Sequence, residues 1–234
     1  MLFRSVTACS SDRSSTSTSV TPTSSSSPST TGVTTTSPST STEPVPTTVP
    51  PPLEQPAIWP ASGALFDRPE LAAADFVVRV LGVPPVLGEF MPGDSRSGEI
   101  EVQSPGGPAS GRGTMLMRQL GPSSSWFVTG IVNDVASITL PAQGDVVPRG
   151  PLTIEGTGYG FEAAISVAAY VAGDEVALDL VSTQAGSMEA PGAFSVTLDL
   201  SAAPSGQTVM ILVRGGVGLE TDPGELAAIA VVIG

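Results

Sequence analysis

Hydrophobic and polar residues alternate along the C-terminal part of the chain, most regularly at Phe194, Val196, Leu198 and Leu200, which are separated by Ser, Thr and Asp. Because successive side chains of a strand point to opposite faces, this pattern predicts a strand with one buried side. Comparable segments between Gly- and Pro-containing turns predict seven strands, at residues 137–140, 152–158, 164–172, 177–183, 192–200, 207–215 and 226–233. Seven short alternating strands predict an immunoglobulin-like β-sandwich for residues 136–234.

A helical period replaces the alternation at residues 67–82. Asp67, with Glu70 three residues later, predicts a capping box at the start of a helix. Gly82, followed by two prolines, predicts its end. One face is predicted to pack on the core, widened by Phe76 and Val77, and consists of Leu71, Ala74, Val78 and Leu81.

Four further strands follow this helix, at residues 86–91, 99–103, 114–120 and 126–132. Residues 57–135 are therefore predicted to form a small α+β domain, with one helix on an antiparallel meander. Trp126 begins the last of these strands, where an aromatic side chain is more often a core anchor than a ligand contact. The fold class predicted for the whole chain is mainly β.

The segment before these domains, residues 10–56, has a different composition. Between residues 10 and 50, 27 residues are Ser or Thr, and prolines recur among them. Such a segment cannot bury enough apolar surface to offset the entropy of ordering its backbone. It is predicted to be a disordered stalk, and its composition is also typical of O-glycosylated stalks.

The only cysteine, Cys9, precedes the stalk. Val6-Thr7-Ala8-Cys9 resembles a bacterial lipobox, and the N-terminus resembles that of an actinobacterial surface lipoprotein. The apolar stretch before it is short and Arg4 follows that stretch, so residues 1–9 are interpreted as the remnant of a truncated signal. The alternative is an ordinary free cysteine in a polar tail. The first interpretation predicts an extracytoplasmic lipoprotein, anchored in the membrane at the cell surface by a lipid on Cys9.

Charge and composition argue against a nucleic-acid partner and against an enzyme activity. The net charge is −13, and residues 136–234 contain 11 acidic residues against two arginines. Phosphate backbones would repel this region, so no nucleic-acid partner is predicted. The chain has neither His nor Lys, which removes the usual general base and the amine partner of a serine nucleophile. No enzyme activity and no cofactor are predicted.

A strand motif identifies a related family. The sequence Pro-Leu-Thr-Ile-Glu-Gly at residues 151–156, followed by Phe161 and Glu162, resembles the Gmad2 family. This is an immunoglobulin-like domain of spore-germination-associated and actinobacterial surface proteins, and the resemblance covers residues 138–233. It implies a binding or adhesion module of the cell envelope, without known catalytic residues.

The same motif predicts local roles. Gly156 is expected where the strand approaches a neighbour closely. Phe161 is expected to cap one end of the core, and Glu162 to bond nearby turn amides.

Three loops of the predicted sandwich share one end, at residues 159–163, 184–191 and 216–225. Aromatic and carboxylate side chains there are candidates for binding sugars or Ca²⁺. The spacing matches no calcium loop, so no metal is predicted. The candidate ligand-binding residues are Tyr159, Phe161, Glu162, Glu189, Glu220 and Asp222.

The function predicted from sequence is a non-enzymatic envelope lipoprotein that serves as a surface-tethered binding or structural module. One alternative is an accessory module that binds a cell-wall polymer, specifically its carbohydrate. Another is a subunit that packs against a second envelope protein through the sandwich edge strands.

Overall fold

The fold consists of two antiparallel sheets and one helical segment. A computed structural model describes residues 53–106, 111–187 and 190–234. Cys9 and stalk residues 10–52 lie outside the described residues, so their predicted roles stay predictions. The helical segment comprises α1 (Pro69–Phe76) and the π-helical turn Val77–Leu81. A separate 3₁₀ turn, Phe161–Ala163, lies between two strands of the C-terminal region. The strands are β1 (Met91–Pro92), β2 (Ser97–Gln103), β3 (Gly111–Leu120), β4 (Ser125–Val132), β5 (Ser137–Leu140), β6 (Val146–Val147), β7 (Pro151–Gly158), β8 (Ala164–Val171), β9 (Ala177–Gln184), β10 (Gly192–Asp199), β11 (Thr208–Gly215) and β12 (Leu226–Ile233).

The larger sheet has the strand order β1-β2-β3-β4-β12-β11-β8-β9, with β6 paired in parallel to β12. The smaller sheet has the order β10-β7-β5. The seven strands predicted for the C-terminal region are therefore present, four in one sheet and three in the other, and β6 is additional. This confirms the mainly β class and the sandwich-like arrangement. The predicted strand at 86–91 is reduced to Met91–Pro92 and a single bridge from Leu87 to Val102.

Both predicted folded regions contribute to the larger sheet. β4 and β12 pair at Ile131 and Ala228, on either side of the boundary predicted after residue 135. The described residues between 53 and 234 belong to one compact unit. One hydrophobic core lies between the helical segment and the larger sheet, and a second lies between the two sheets. The first core contains residues from both predicted regions, whereas the second is built from residues 136–233.

The helical segment packs with only part of the predicted face: Phe76, Val77 and Leu81 are buried as predicted, but other members of that face are not. Leu71 and Val78 are 45% and 52% exposed. The buried positions are Ala72, Ala73, Phe76, Val77 and Leu81. The helix is apolar on both faces, so its period alone does not decide which face is buried. The two alanines allow close approach to the sheet, and the ring of Phe76 meets Trp59 edge-on at 6.1 Å.

The predicted capping box does not form. α1 begins at Pro69, and its N-cap residue Arg68 makes no side-chain capping bond. Glu70 pairs weakly with Arg68, at 3.5 Å. Proline already lacks the N–H that a cap would satisfy at this position, so the helix start depends less on a cap. The predicted end is confirmed, since Gly82 closes the π-helical turn at φ +68°.

Gly156 brings the strands of the smaller sheet together, as the motif predicts. In β7 it lies between Phe194 of β10 and Ile138 of β5. A Cβ added there would collide with the Ser137 carbonyl oxygen and lie 2.9 Å from the Phe194 ring. The aromatic ring covers the glycine, which holds this end of the second core in place.

None of the helices in the described ranges is long and apolar enough to cross a membrane.

Candidate ligand-binding cavity

A cavity of about 450 Å³ opens at one end of the sandwich. Its wall is built by residues that follow β7 and by the loop between β11 and β12. Backbone hydrogen bonds hold these segments together: the Phe161 N–H donates to the Gly216 carbonyl at 2.8 Å, and the Gly216 N–H donates to the Ala164 carbonyl at 2.7 Å. The Gly160 N–H also donates to the Gly186 carbonyl at 3.1 Å. Two of the three loops predicted to share an end thus form one wall, and part of the third contacts it.

The cavity wall is mainly apolar. Phe161 and Leu219 lie on different segments and are 50% and 46% exposed. Tyr159 and Val217 line the same space. Gly218 stands beside Phe161, and a Cβ added there would meet only the Phe161 ring, at 4.0 Å. The absence of a side chain at Gly218 therefore leaves the cavity open.

A buried ion cluster forms the polar side of the cavity. Arg112 of β3 donates to Asp222 Oδ2 at 2.8 Å and to Glu225 Oε1 at 2.6 Å. The side chains of Asp222 and Glu225 are only 7% and 11% exposed. Arg112 thus holds two carboxylates from the loop before β12 against the larger sheet.

The remaining carboxylate oxygens of this cluster also have partners. Ser104 donates its hydroxyl to Asp222 Oδ2 at 2.5 Å, and the Gly224 N–H donates to Oδ1 at 2.8 Å. Asn133 donates to Glu225 Oε2 at 2.8 Å. Every carboxylate oxygen of Asp222 and Glu225 is therefore engaged within the protein.

These contacts shift the ionisation of the cluster. Burial alone would raise the pKa of Asp222, but hydrogen bonds from Arg112, Ser104 and the Gly224 amide outweigh it and place that pKa below the ordinary value. Burial would lower the pKa of Arg112, whereas its bonds to Asp222 and Glu225 raise it. The cluster is thus held as one guanidinium between carboxylates.

Arg214 connects this loop to the helical segment. Its guanidinium donates to the carbonyl oxygens of Pro223 at 2.6 Å, Asp222 at 3.2 Å and Leu81 at 3.1 Å. Burial lowers the pKa of Arg214. The side chain therefore links the C-terminal end of the helical segment to the cavity loop.

Only some of the six residues predicted to bind a ligand at this end of the sandwich line the cavity. Tyr159, Phe161 and Asp222 line the cavity. Glu162 and Glu220 are exposed and are not lining residues. Glu189 lies outside the described residues. Asp222 also differs from the expected accessible ligand group, because it is buried and fully paired.

Two predicted roles in the Gmad2-like motif are wrong. Phe161 does not cap the core, because it is half exposed at the cavity wall. Glu162 makes no side-chain hydrogen bond among the described residues, and its backbone lies at φ +54° in the turn. The loop is held instead by the main-chain bond from Phe161 to Gly216.

Sequence analysis missed Ser104, Arg112, Arg214 and Glu225. Arg112 lies in a long Gly/Pro/Ser connection that carries no recognisable motif, and its partners are more than a hundred residues away. A usable signal was the scarcity of positive charge, since Arg214 is the only basic residue between 150 and 234. A lone arginine among so many acidic residues indicates a paired group.

No group of three or more His, Cys, Asp or Glu side chains suited to a metal ion occurs in the described ranges.

Residues 135–214 match the family model of Gmad2, the immunoglobulin-like domain of bacterial spore germination. No curated protein and no solved structure matches the chain. The match confirms the resemblance predicted for the C-terminal region. It includes the segment that carries Tyr159 and Phe161, and it ends in β11, before the cavity loop that carries Leu219 and Asp222.

Proposed function

We propose that this chain is a non-enzymatic binding module that acts outside the cell and is held at a membrane by a lipid on Cys9. The family match supports a binding or structural module of immunoglobulin-like type. The tether is supported by sequence alone: Val6-Thr7-Ala8 precedes Cys9, and a Ser/Thr/Pro-rich segment separates it from the sandwich.

The observation that carries the binding role is the exposed apolar wall of the cavity. Phe161 and Leu219 present large side chains to solvent at the mouth of a 450 Å³ space. Clustered exposed apolar groups are unfavourable in water and are typical of interaction sites. We infer that this cavity contacts the ligand or partner of the module.

The composition of the cavity favours binding over catalysis. Its two carboxylates already accept hydrogen bonds on all four oxygens, and the Arg112 terminal nitrogens are bound to them. The hydrogen bonds from Arg112, Ser104 and the Gly224 amide also lower the pKa of Asp222, which makes that carboxylate a weaker base. The apolar wall remains the part of the cavity that is available to a ligand.

The tether is tested by expressing the chain from its own gene in the bacterium that encodes it, with an alkyne-labelled fatty acid in the medium. We expect label on the wild-type chain and recovery in the membrane fraction. Cys9→Ser should lose both, whereas Ser10→Ala, the matched control, should retain both. Labelling of the Cys9→Ser chain, or an unlabelled wild-type chain, would contradict the proposal.

A further inference from the structure

We propose that the cavity binds an apolar side chain of a partner polypeptide whose neighbouring residues are basic. This inference rests on the binding role proposed above and narrows it to one class of partner. Three observations lead to it: the two carboxylates of the cavity are already paired, the wall is apolar and exposed, and the surrounding charge is acidic.

The paired ion cluster argues against a carbohydrate ligand in this cavity. Sugar recognition requires polar protein groups that are free to bond hydroxyls. Asp222 and Glu225 are buried and have partners on every oxygen, and breaking those bonds would leave Arg112 without its counter-charges. A ligand therefore gains little binding free energy from these two carboxylates.

The apolar wall offers a larger gain. Phe161 and Leu219 are each about half exposed, and covering such side chains removes apolar surface from water, which favours binding. They lie on two segments joined by the Phe161–Gly216 hydrogen bond, and both line the same cavity. A leucine or phenylalanine side chain inserted there would be enclosed as at the centre of a protein interface.

The acidic residues beside the apolar wall indicate that the partner carries basic residues next to its apolar side chain. Glu162 directly follows Phe161 and Glu220 directly follows Leu219, and both are exposed. The only basic residue between 150 and 234 is Arg214, whose guanidinium is bound to three carbonyl oxygens. An apolar side chain flanked by Lys or Arg complements this mouth, whereas flanking acids would be repelled.

The test uses ¹⁵N-labelled protein and four probes. Three are capped peptides in which Leu is flanked by Lys, Leu is flanked by Glu, or Ala is flanked by Lys. The fourth is a tetramer of N-acetylglucosamine. The cavity glycines Gly160, Gly216 and Gly218 report binding through their amide signals. We expect the Lys-Leu-Lys peptide to shift these signals and to bind about tenfold more tightly than either altered peptide.

Gly218→Leu is the variant designed to block the cavity, because Gly218 lines it and a Cβ added there has only the Phe161 ring within 4.0 Å. Gly63→Leu is the matched control, since Gly63 also has open space around it and lies outside the cavity. We expect the blocked variant to lose at least tenfold in affinity while the control binds as wild type. Thermal unfolding verifies that both variants are folded, and Phe161→Ala serves as a second loss variant.

Binding of the Lys-Leu-Lys peptide that persists in Gly218→Leu and in Phe161→Ala would overturn the assignment to this cavity. Shifts caused by the sugar tetramer and not by the peptides would overturn the partner class and leave the binding role intact. Equal binding of the Lys- and Glu-flanked peptides would overturn the role of charge. If none of the four probes shifts the amide signals, the inference as a whole is overturned. The Cys9 labelling experiment is independent of these outcomes, so failure of the tether is recognised separately.

Discussion

At the scale of single residues, Asp222 is the most connected group of the cavity. It joins Ser104, Arg112 and the Gly224 amide, and the first two lie more than a hundred residues before it. A buried carboxylate with this many partners is costly to remove, because its loss leaves Arg112 with Glu225 as its remaining counter-charge and Ser104 without its acceptor. The sequence placed Asp222 at this end of the sandwich but could not show that it was paired.

We expect Asp222→Ala to lower the free energy of unfolding by about 3 kcal/mol, in the range for breaking a buried ion pair. Glu70→Ala is the matched control, since Glu70 has only a weak exposed pair with Arg68 and should cost less than about 1 kcal/mol. Urea unfolding measures both. Equal losses in the two variants would contradict the importance assigned to the cluster.

Acid titration gives a second prediction at this scale. Because the pKa of Asp222 is lowered in the folded state, the ionised carboxylate stabilises the fold above the ordinary aspartate pKa. This contribution is lost as pH falls through the lowered folded pKa. The stability difference between wild type and Asp222→Asn should therefore shrink as pH falls from neutral into the acid range, in urea unfolding at several pH values. A difference independent of pH would contradict it.

At the scale of elements, the helical segment shows the largest difference between the predicted and the observed burial. The pattern identified the helix, its end at Gly82 and part of its buried face. Phe76, Val77 and Leu81 are buried as predicted. Leu71 and Val78 are exposed, and the remaining buried positions are the two alanines Ala72 and Ala73. Which side packs depends on Trp59, which precedes the helix and meets Phe76 edge-on. The spacing of apolar residues within the helix carries no information about this contact, because Trp59 lies outside the helix.

Two leucines in this segment provide a matched comparison. Leu81 is 4% exposed, whereas Leu71 is 45% exposed. We expect Leu81→Ala to cost about 3 kcal/mol through lost burial and a residual cavity, and Leu71→Ala less than about 1 kcal/mol. Chemical denaturation measures the two. A larger loss at Leu71 than at Leu81 would contradict the burial that the structure gives to the two leucines.

The strands were easier to predict than the helix orientation. Their alternation has a period of two, so burial of one residue fixes the face of the others, as in Phe194, Val196 and Leu198. β6 was missed because two residues carry no period. In the cavity, Tyr159, Phe161 and Asp222 followed from the order of loops in a sandwich, whereas Arg112 required knowledge of the sheet pairing.

At the scale of the whole molecule, the shared sheet joins regions that the sequence divides. β12 pairs with β11 over seven residues and meets β4 at Ala228. The core under the helical segment includes Tyr170, Met210 and Leu226, which come from the C-terminal region. The C-terminal region therefore completes the core under the helical segment, whereas the core between the two sheets is built from residues 136–233.

We expect one cooperative unfolding transition for the chain. Trp59 and Trp126, the only tryptophans, report the first region by fluorescence. Amide signals of Val196 and Leu198 report the smaller sheet. Because both regions depend on β12, the two probes should give the same urea midpoint. Two separate midpoints would show that the regions unfold independently.

The position of β12 also bears on synthesis and export. This strand lies near the middle of the larger sheet, although about a hundred residues separate it from β4 along the chain. Neither core can close until β12 has left the ribosome, so the growing chain remains unfolded for most of translation. If the chain is exported, as proposed above, this delay keeps it unfolded for passage through a secretion pore, and the sandwich assembles afterwards.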